Sequence, residues 1–340
     1  MGWALKGIGK GLLSGLLGAF LCAAPGSFAH ACSIPAAGQD VVVTTNSIPL
    51  SVHVSGSGEP VLFIPSIGRD VSDYHDLAAR VAAAGFLTIE PTPRGIRANL
   101  GSLALAGIED LAGDALTVAK ALCGDEPVNL VGQAFGSRIA RLAAAKDSAH
   151  VARLILLGPD DGQPVSDELR AAMSNAVAQG IRSTKSRLEG LQTAFFAKGN
   201  DATVWMEGWY PLVAAAQNRA GKRTDVSAWL TGGTGPVLLV QGEKDPVQTP
   251  EAGQALQALM GARAQLVIIP QASHALLPEQ PDALAAVVLA FLKGDNPVDP
   301  ALIDPLIRNH QGKFAECRIG DGDGTASSCR GAMDSLLPRG

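Results

Sequence analysis

The chain has 340 residues, 47% of them hydrophobic and 17% charged, with a formal net charge of −5. Such a chain can bury one large core and is neither disordered nor collagen-like. Its dispersed acidic balance argues against nucleic acid or an anionic membrane surface as the main partner.

Residues 1–31 read as a secretory signal, with Lys6 and Lys10 in a basic start, an apolar run from Leu12 to Ala24, and Ala29-His30-Ala31 as a small-x-small cleavage site. The expectation is therefore a secreted or periplasmic protein cleaved after Ala31, with no stable membrane anchor. The apolar run falls short of the ~20 residues a spanning helix needs, although Gly7, Gly11 and Gly15 could form a helix-packing face. Cleavage there would also leave Cys32 first, as in a lipoprotein, but Ala-His-Ala fits a lipobox poorly. Export leaves Cys32, Cys123, Cys317 and Cys329, an even number suited to an oxidising compartment. The best pairing is Cys317 with Cys329 across a short loop, worth roughly 3 kcal/mol, against the alternative of four free thiols. With no C-x-x-C or Cys/His spacing, no metal and no cofactor is expected.

From Asp40 the pattern alternates through Val41–Val43 and Leu50–Val54, an antiparallel start in which His53 reads as a solvent-face residue. Val61–Ile64 is fully apolar, as a buried parallel strand requires. A turn-rich loop with Ser66 and Ile67 follows, then a helix through Leu77 and Val81, a strand at Phe86–Ile89, the Pro91-Thr92-Pro93-Arg94-Gly95 loop, and a helix from Ile108 to Leu122. Val128–Ala145 reads as strand, sharp turn and helix, with Gly132 and Gly136 four apart. A further buried strand runs from Ala152 to Leu157. Residues 160–235 read as helical with no strand, Val237–Val240 and Leu266–Ile269 resume the sheet, and a helix from Ala283 to Leu292 closes it. Strands alternating with helices imply a doubly wound, mostly parallel sheet. Residues 294–340 read as a Pro-, Asp- and Gly-rich tail, and its Asp321-Gly322-Asp323-Gly324 run lacks the later ligands of a calcium loop.

Three loops carry the chemistry. The elbow frame G-x-S-x-G has Ala134 where the serine belongs, followed by Phe135. Asp245 follows one late strand, and Ser273-His274 follows the next. Nucleophile, acid and histidine in that order, each at a strand end, resemble the lid-bearing α/β-hydrolase superfamily over residues 40–293. The resemblance implies an eight-stranded α/β-hydrolase fold, with a core of residues 40–159 and 236–293 and a helical lid of residues 160–235 after the sixth strand. It also implies an oxyanion hole from the backbone N–H groups of Phe135 and Ile67, with Pro65-Ser66 where the family usually has His-Gly. His274 would be the general base and Asp245 its orienting acid. In isolation Asp245 could be a turn cap and His274 a surface histidine, and their shared register with the elbow argues otherwise.

Loss of a serine nucleophile costs on the order of 10⁶ in turnover, while binding and the oxyanion hole keep ~10³ over water. Ser137 should point away from the hole, leaving Ser66 as the better substitute or substrate contact. Three explanations of Ala134 stay open: an engineered Ser→Ala change, direct activation of water by Asp245/His274, or a pseudo-hydrolase that only binds a small ligand or a protein partner. Six of the fifteen aromatic residues fall in residues 160–235. Leu188, Leu191 and Phe195 at helical spacing read as lid core, whereas Trp205, Trp209 and Tyr210 amid glycine read as a pocket wall for an apolar or aromatic molecule. The expected activity is hydrolysis of a small apolar ester, lactone or related carbonyl compound.

Overall fold

The computed structural model describes residue 32 and residues 38–46, 48–97, 99, 103–295 and 298–307. Residues 1–31, expected as a secretory signal, Cys317 and Cys329, expected to pair, and the Asp321–Gly324 run all lie outside these residues. The sheet is built from β1 (Gln39–Thr45), β2 (Ile48–Gly56), β3 (Glu59–Ile64), β4 (Phe86–Pro91), β5 (Val128–Gln133), β6 (Val151–Leu157), β7 (Val237–Gly242) and β8 (Ala264–Ile269). Their order is β1-β2-β4-β3-β5-β6-β7-β8, antiparallel at the first two pairings and parallel through the rest. β5 and β7 are buried along their whole length, whereas β1 alternates exposed and buried positions as an edge strand must. The eight strands anticipated from apolar runs are the eight observed.

Helices cover both faces. Helices α1 (His75–Ala83) and α9 (Pro281–Leu292) pack one side, and Val298, Ile303, Leu306 and Ile307 beyond α9 extend that core. Helices α2 (Glu109–Cys123), α3 (Phe135–Lys146) and α7 (Pro250–Met260) pack the other side. Between β6 and β7 the chain is helical, with α4 (Asp167–Ala176), α5 (Thr184–Ala194) and α6 (Pro211–Arg223). This insert builds a core of its own from Leu191, Phe195, Phe196, Trp205 and Trp209, which Ala275 of the His274 loop joins. A short helix, α8 (Leu276–Glu279), follows that loop.

One disulfide joins Cys32 to Cys123, across 91 positions. The fold sets Cys123, at the end of α2, beside Cys32, and the expected Cys317–Cys329 bridge lies outside the described residues. Peptide mapping after alkylation without reductant should therefore find Cys32 and Cys123 unmodified. Alkylation at both would show that the bond is absent.

Residue Asp114 of α2 ties three elements together. Its carboxylate accepts from Thr45 Oγ1 of β1 at 2.6 Å and from Arg94 Nε and Nη2 at 2.7 and 2.5 Å, all three residues being buried. The pair anchors the loop after β4 that the sequence marks with Pro91, Pro93 and Gly95. Removing one member of a buried ion pair costs about 3–5 kcal/mol because the other charge stays buried. Asp114→Ala should lose that much in urea unfolding, and a loss below about 1 kcal/mol would contradict this account.

Candidate active site

Residue Ala134 sits between β5 and α3 at φ 48°, ψ −111°, a backbone conformation that non-glycine residues rarely adopt. The turn is held from both sides: Ala134 N–H donates to Leu157 O at 2.9 Å, and Ala134 O accepts from Ser137 N–H at 2.9 Å and Ser137 Oγ at 2.6 Å. That last bond turns the fully buried Ser137 hydroxyl back onto the backbone. The glycines are steric necessities. A Cβ on Gly136 would lie 2.2 Å from Ile64 O, and one on Gly132 would lie 2.5 Å from Gly136 O. The start of α3 thus presses onto the end of β3, and Ala134 is lifted over the parallel strands' carboxyl ends.

Residues Asp245 and His274 follow β7 and β8 and meet there. His274 Nδ1 and Asp245 Oδ2 are 2.8 Å apart, with both residues buried. Asp245 also accepts from Gln241 Nε2 at 2.9 Å and from the N–H groups of Val247 and Gln248 at 2.8 and 2.9 Å, so its carboxylate is fixed as an acceptor. Burial pushes the His274 pKa down, but the charge and hydrogen bond of Asp245, with Asp160 and Glu279 behind it, outweigh burial and raise it above the ordinary histidine value. Gly158, at the end of β6, leaves room for the ring, since a Cβ there would stand 3.3 Å from His274 Cε1 and Nδ1. Two connections tie the insert to this histidine. Phe195 stacks on the ring with centroids 5.6 Å apart, and its carbonyl accepts from Ala275 N–H at 2.8 Å. Glu279, 6% exposed, accepts from Ser273 N–H, Ala197 N–H and Asn200 Nδ2, each at 2.7 Å, and burial lifts its pKa to about 7.

The backbone N–H groups of Ile67 and Phe135 donate no hydrogen bond among the described residues. The loop carrying Ile67 is braced by the insert: Gly68 N–H donates to Gln217 Oε1 at 2.7 Å, and Gly68 O accepts from Tyr210 N–H at 2.9 Å. Arg69 lies over both Trp205 and Trp209, 4.9 and 4.6 Å from their ring centroids, while bonding Asp73 and Glu207 O. A cavity of about 100 Å³ is lined by Ser66, Ile67, Ala134, Phe135, Trp205, Trp209 and His274, with Phe195 and Arg138 among its other walls. It opens beside a groove of about 560 Å³ that shares Ile67, Phe135, Arg138 and Phe195.

Of the residues singled out in the sequence, Ser66, Ile67, Ala134, Phe135, Trp205, Trp209, Asp245 and His274 converge here. Tyr210 does not. It lines neither cavity, and its contribution is the backbone brace on Gly68, because it occupies the N-cap of α6. Phe195 is both insert core and cavity wall, a double role that helical spacing alone cannot show. Glu279, Arg69 and the ion-paired Arg138 and Asp160 carried no signal in the sequence. Among the described residues no group of three or more His, Cys, Asp and Glu is arranged to hold a metal ion, and no helix is long and apolar enough to cross a membrane.

Sheet order, strained elbow and facing His274 loop are those of an α/β-hydrolase, and the model of the alpha/beta hydrolase family matches residues 61–287. The chain belongs to this family. A thermophilic esterase from Thermogutta terrifontis, solved with malate bound, is 24% identical, covering 75% of this chain and 98% of its own at a TM-score of 0.63. Esterase EaEST from Exiguobacterium antarcticum is 19% identical over 75% of this chain and all of its own, TM-score 0.63. Esterase RhEst1 from Rhodococcus sp. ECU1013 is 19% identical over 75% and 98%, TM-score 0.64. No curated protein matches the sequence. At these identities the likeness establishes the fold alone.

Holding alanine at a positive φ costs on the order of 1–3 kcal/mol, which glycine would relieve at the expense of a more flexible unfolded chain. Ala134→Gly should therefore raise stability by about 1 kcal/mol, seen as a higher denaturation midpoint. A drop in stability would mean that the turn is not strained.

Proposed function

We propose that this protein hydrolyses small apolar esters, lactones or related carbonyl compounds, with a water molecule in place of the absent serine hydroxyl. The observation that carries this reading is the 2.8 Å Asp245–His274 pair at the rim of a cavity whose elbow holds only a methyl group. In this mechanism Asp245 fixes the His274 tautomer, and Nε2 takes a proton from water as the water oxygen attacks the carbonyl carbon. The Ile67 and Phe135 N–H groups, the latter at the start of α3, stabilise the oxyanion, and His274 returns the proton to the leaving group. Ser66 contacts the substrate, Trp205 and Trp209 form its apolar wall, and the insert acts as a lid.

Export is part of the same proposal. A disulfide between Cys32 and Cys123 suits an oxidising compartment. The lipoprotein route would need the Cys32 sulfur that this bond occupies. A second reading, a pseudo-hydrolase that binds without turnover, is favoured by Ala134 itself.

Hydrolysis of short-chain aryl esters by the purified protein tests the proposal. Turnover should be slow, rise with pH through a value above the ~6.5 of an ordinary histidine as His274 loses its proton, and vanish in His274→Ala. Ala134→Ser should gain several orders of magnitude, since the partners of a serine are already placed. Parent activity that persists in His274→Ala would sink the mechanism, and ligand binding with no parent turnover would select the pseudo-hydrolase.

A further inference from the structure

A second cavity, of about 440 Å³, shares no lining residue with the candidate active site. It lies between β2, β4 and the start of α1, with the residues just after β3 and β4 closing its ends. Glu90, near the end of β4, lines it and is 3% exposed, yet its carboxylate accepts no hydrogen bond among the described residues. Oε2 is buried without a hydrogen bond, and the one charge partner near it among the described residues is His75 Nε2, 3.5 Å away, an ion pair only when that imidazole is protonated. A buried carboxylate left without donors costs several kcal/mol unless a ligand or a proton answers it. Burial accordingly lifts its pKa to about 7, with His53 lowering it and Asp70 raising it.

The surrounding charges are already engaged. Asp40 is 2.8 Å from His53 Nδ1, and Asp70 pairs with Arg97 at 2.5 Å while capping Val71 N–H. Four hydroxyls, those of Ser51, Ser55, Ser72 and Thr92, line the same space and make no hydrogen bond among the described residues. Among the described residues the cavity thus offers one buried carboxylate without a hydrogen bond beside several hydroxyl-bearing residues, and its carboxylates outnumber its permanent cations. A single metal ion does not suit it, because no group of three ligands converges among the described residues.

We propose that this cavity binds a small polyhydroxylated ammonium compound, an amino polyol or amino sugar, whose ammonium meets the Glu90 carboxylate while its hydroxyls bond the serine and threonine hydroxyls. Its volume is that of a small-molecule site, and a charge-assisted hydrogen bond to a buried carboxylate supplies the affinity. The pH dependence has a definite sign. Below about pH 7 Glu90 is protonated, so affinity for a cation falls on acidification. The other ionisable groups facing the cavity are His53 and Asp40 from the sheet, His75 from α1, and Asp70 and Arg97 from the loops.

Titration calorimetry of the full protein with N-methyl-D-glucamine, against sorbitol as its neutral counterpart, tests this. Saturable binding of the amine is expected at pH 8, weakened about tenfold or more at pH 6 and to a similar degree in Glu90→Gln at pH 8. Ser72→Ala should weaken it about threefold, and His274→Ala should leave it unchanged. Absence of saturable binding at pH 8, equal binding of sorbitol, or undiminished affinity in Glu90→Gln or Ser72→Ala would overturn the proposal. Loss in His274→Ala would do the same by assigning the binding to the other cavity.

Discussion

The approach of α3 to the end of β3 is the contact on which the site depends. With backbone only 2.2 Å from where a Cβ on Gly136 would stand, that position admits hydrogen alone. Ala134 takes its strained φ because the chain must reverse within one residue there. The same contact sets Phe135 N–H beside the loop that carries Ile67, so the elbow and the Ile67 loop meet at one packing contact. Strain of this kind persists where the surrounding structure over-determines it, here with hydrogen bonds from Ala134 to β6 and back from Ser137.

The insert is tied to both halves of that site. Arg69 between two tryptophans and Gly68 between Gln217 and Tyr210 hold the Ile67 loop, while Phe195 and Glu279 hold the His274 loop. Displacing the insert would therefore disturb the Ile67 loop and the His274 loop together.

Buried charge is treated in three ways in this molecule. Asp114 is matched by a bidentate guanidinium and serves stability. Asp245 is saturated by four donors, one of them the His274 imidazole, and serves orientation. Glu90 is buried and accepts no hydrogen bond among the described residues, with His75 Nε2 3.5 Å away, and it is the group to which the proposed ligand would bind. Ion pairing and hydrogen bonding account for the first two within the chain itself.

Apolar runs of four to six residues separated by turn residues were enough to determine the eight strands, their alternation with helices and the helical nature of the insert. Covering both faces of a sheet leaves no other pattern. Strand-end placement also determined Ala134, Asp245 and His274 as one constellation, since parallel strands bring their carboxyl ends together however far apart they lie in sequence. The tertiary structure alone decided the rest. Cys123 pairs with Cys32 because α2 ends beside Cys32, a proximity invisible to spacing. Tyr210 and Trp209 are neighbours in sequence, yet only Trp209 lines the cavity, while Tyr210 caps α6. His53 read as a solvent-face residue, and it remains partly exposed, but the antiparallel register of β2 on β4 sets it opposite Glu90. That pairing joins positions 37 residues apart, and no local pattern in the chain encodes it.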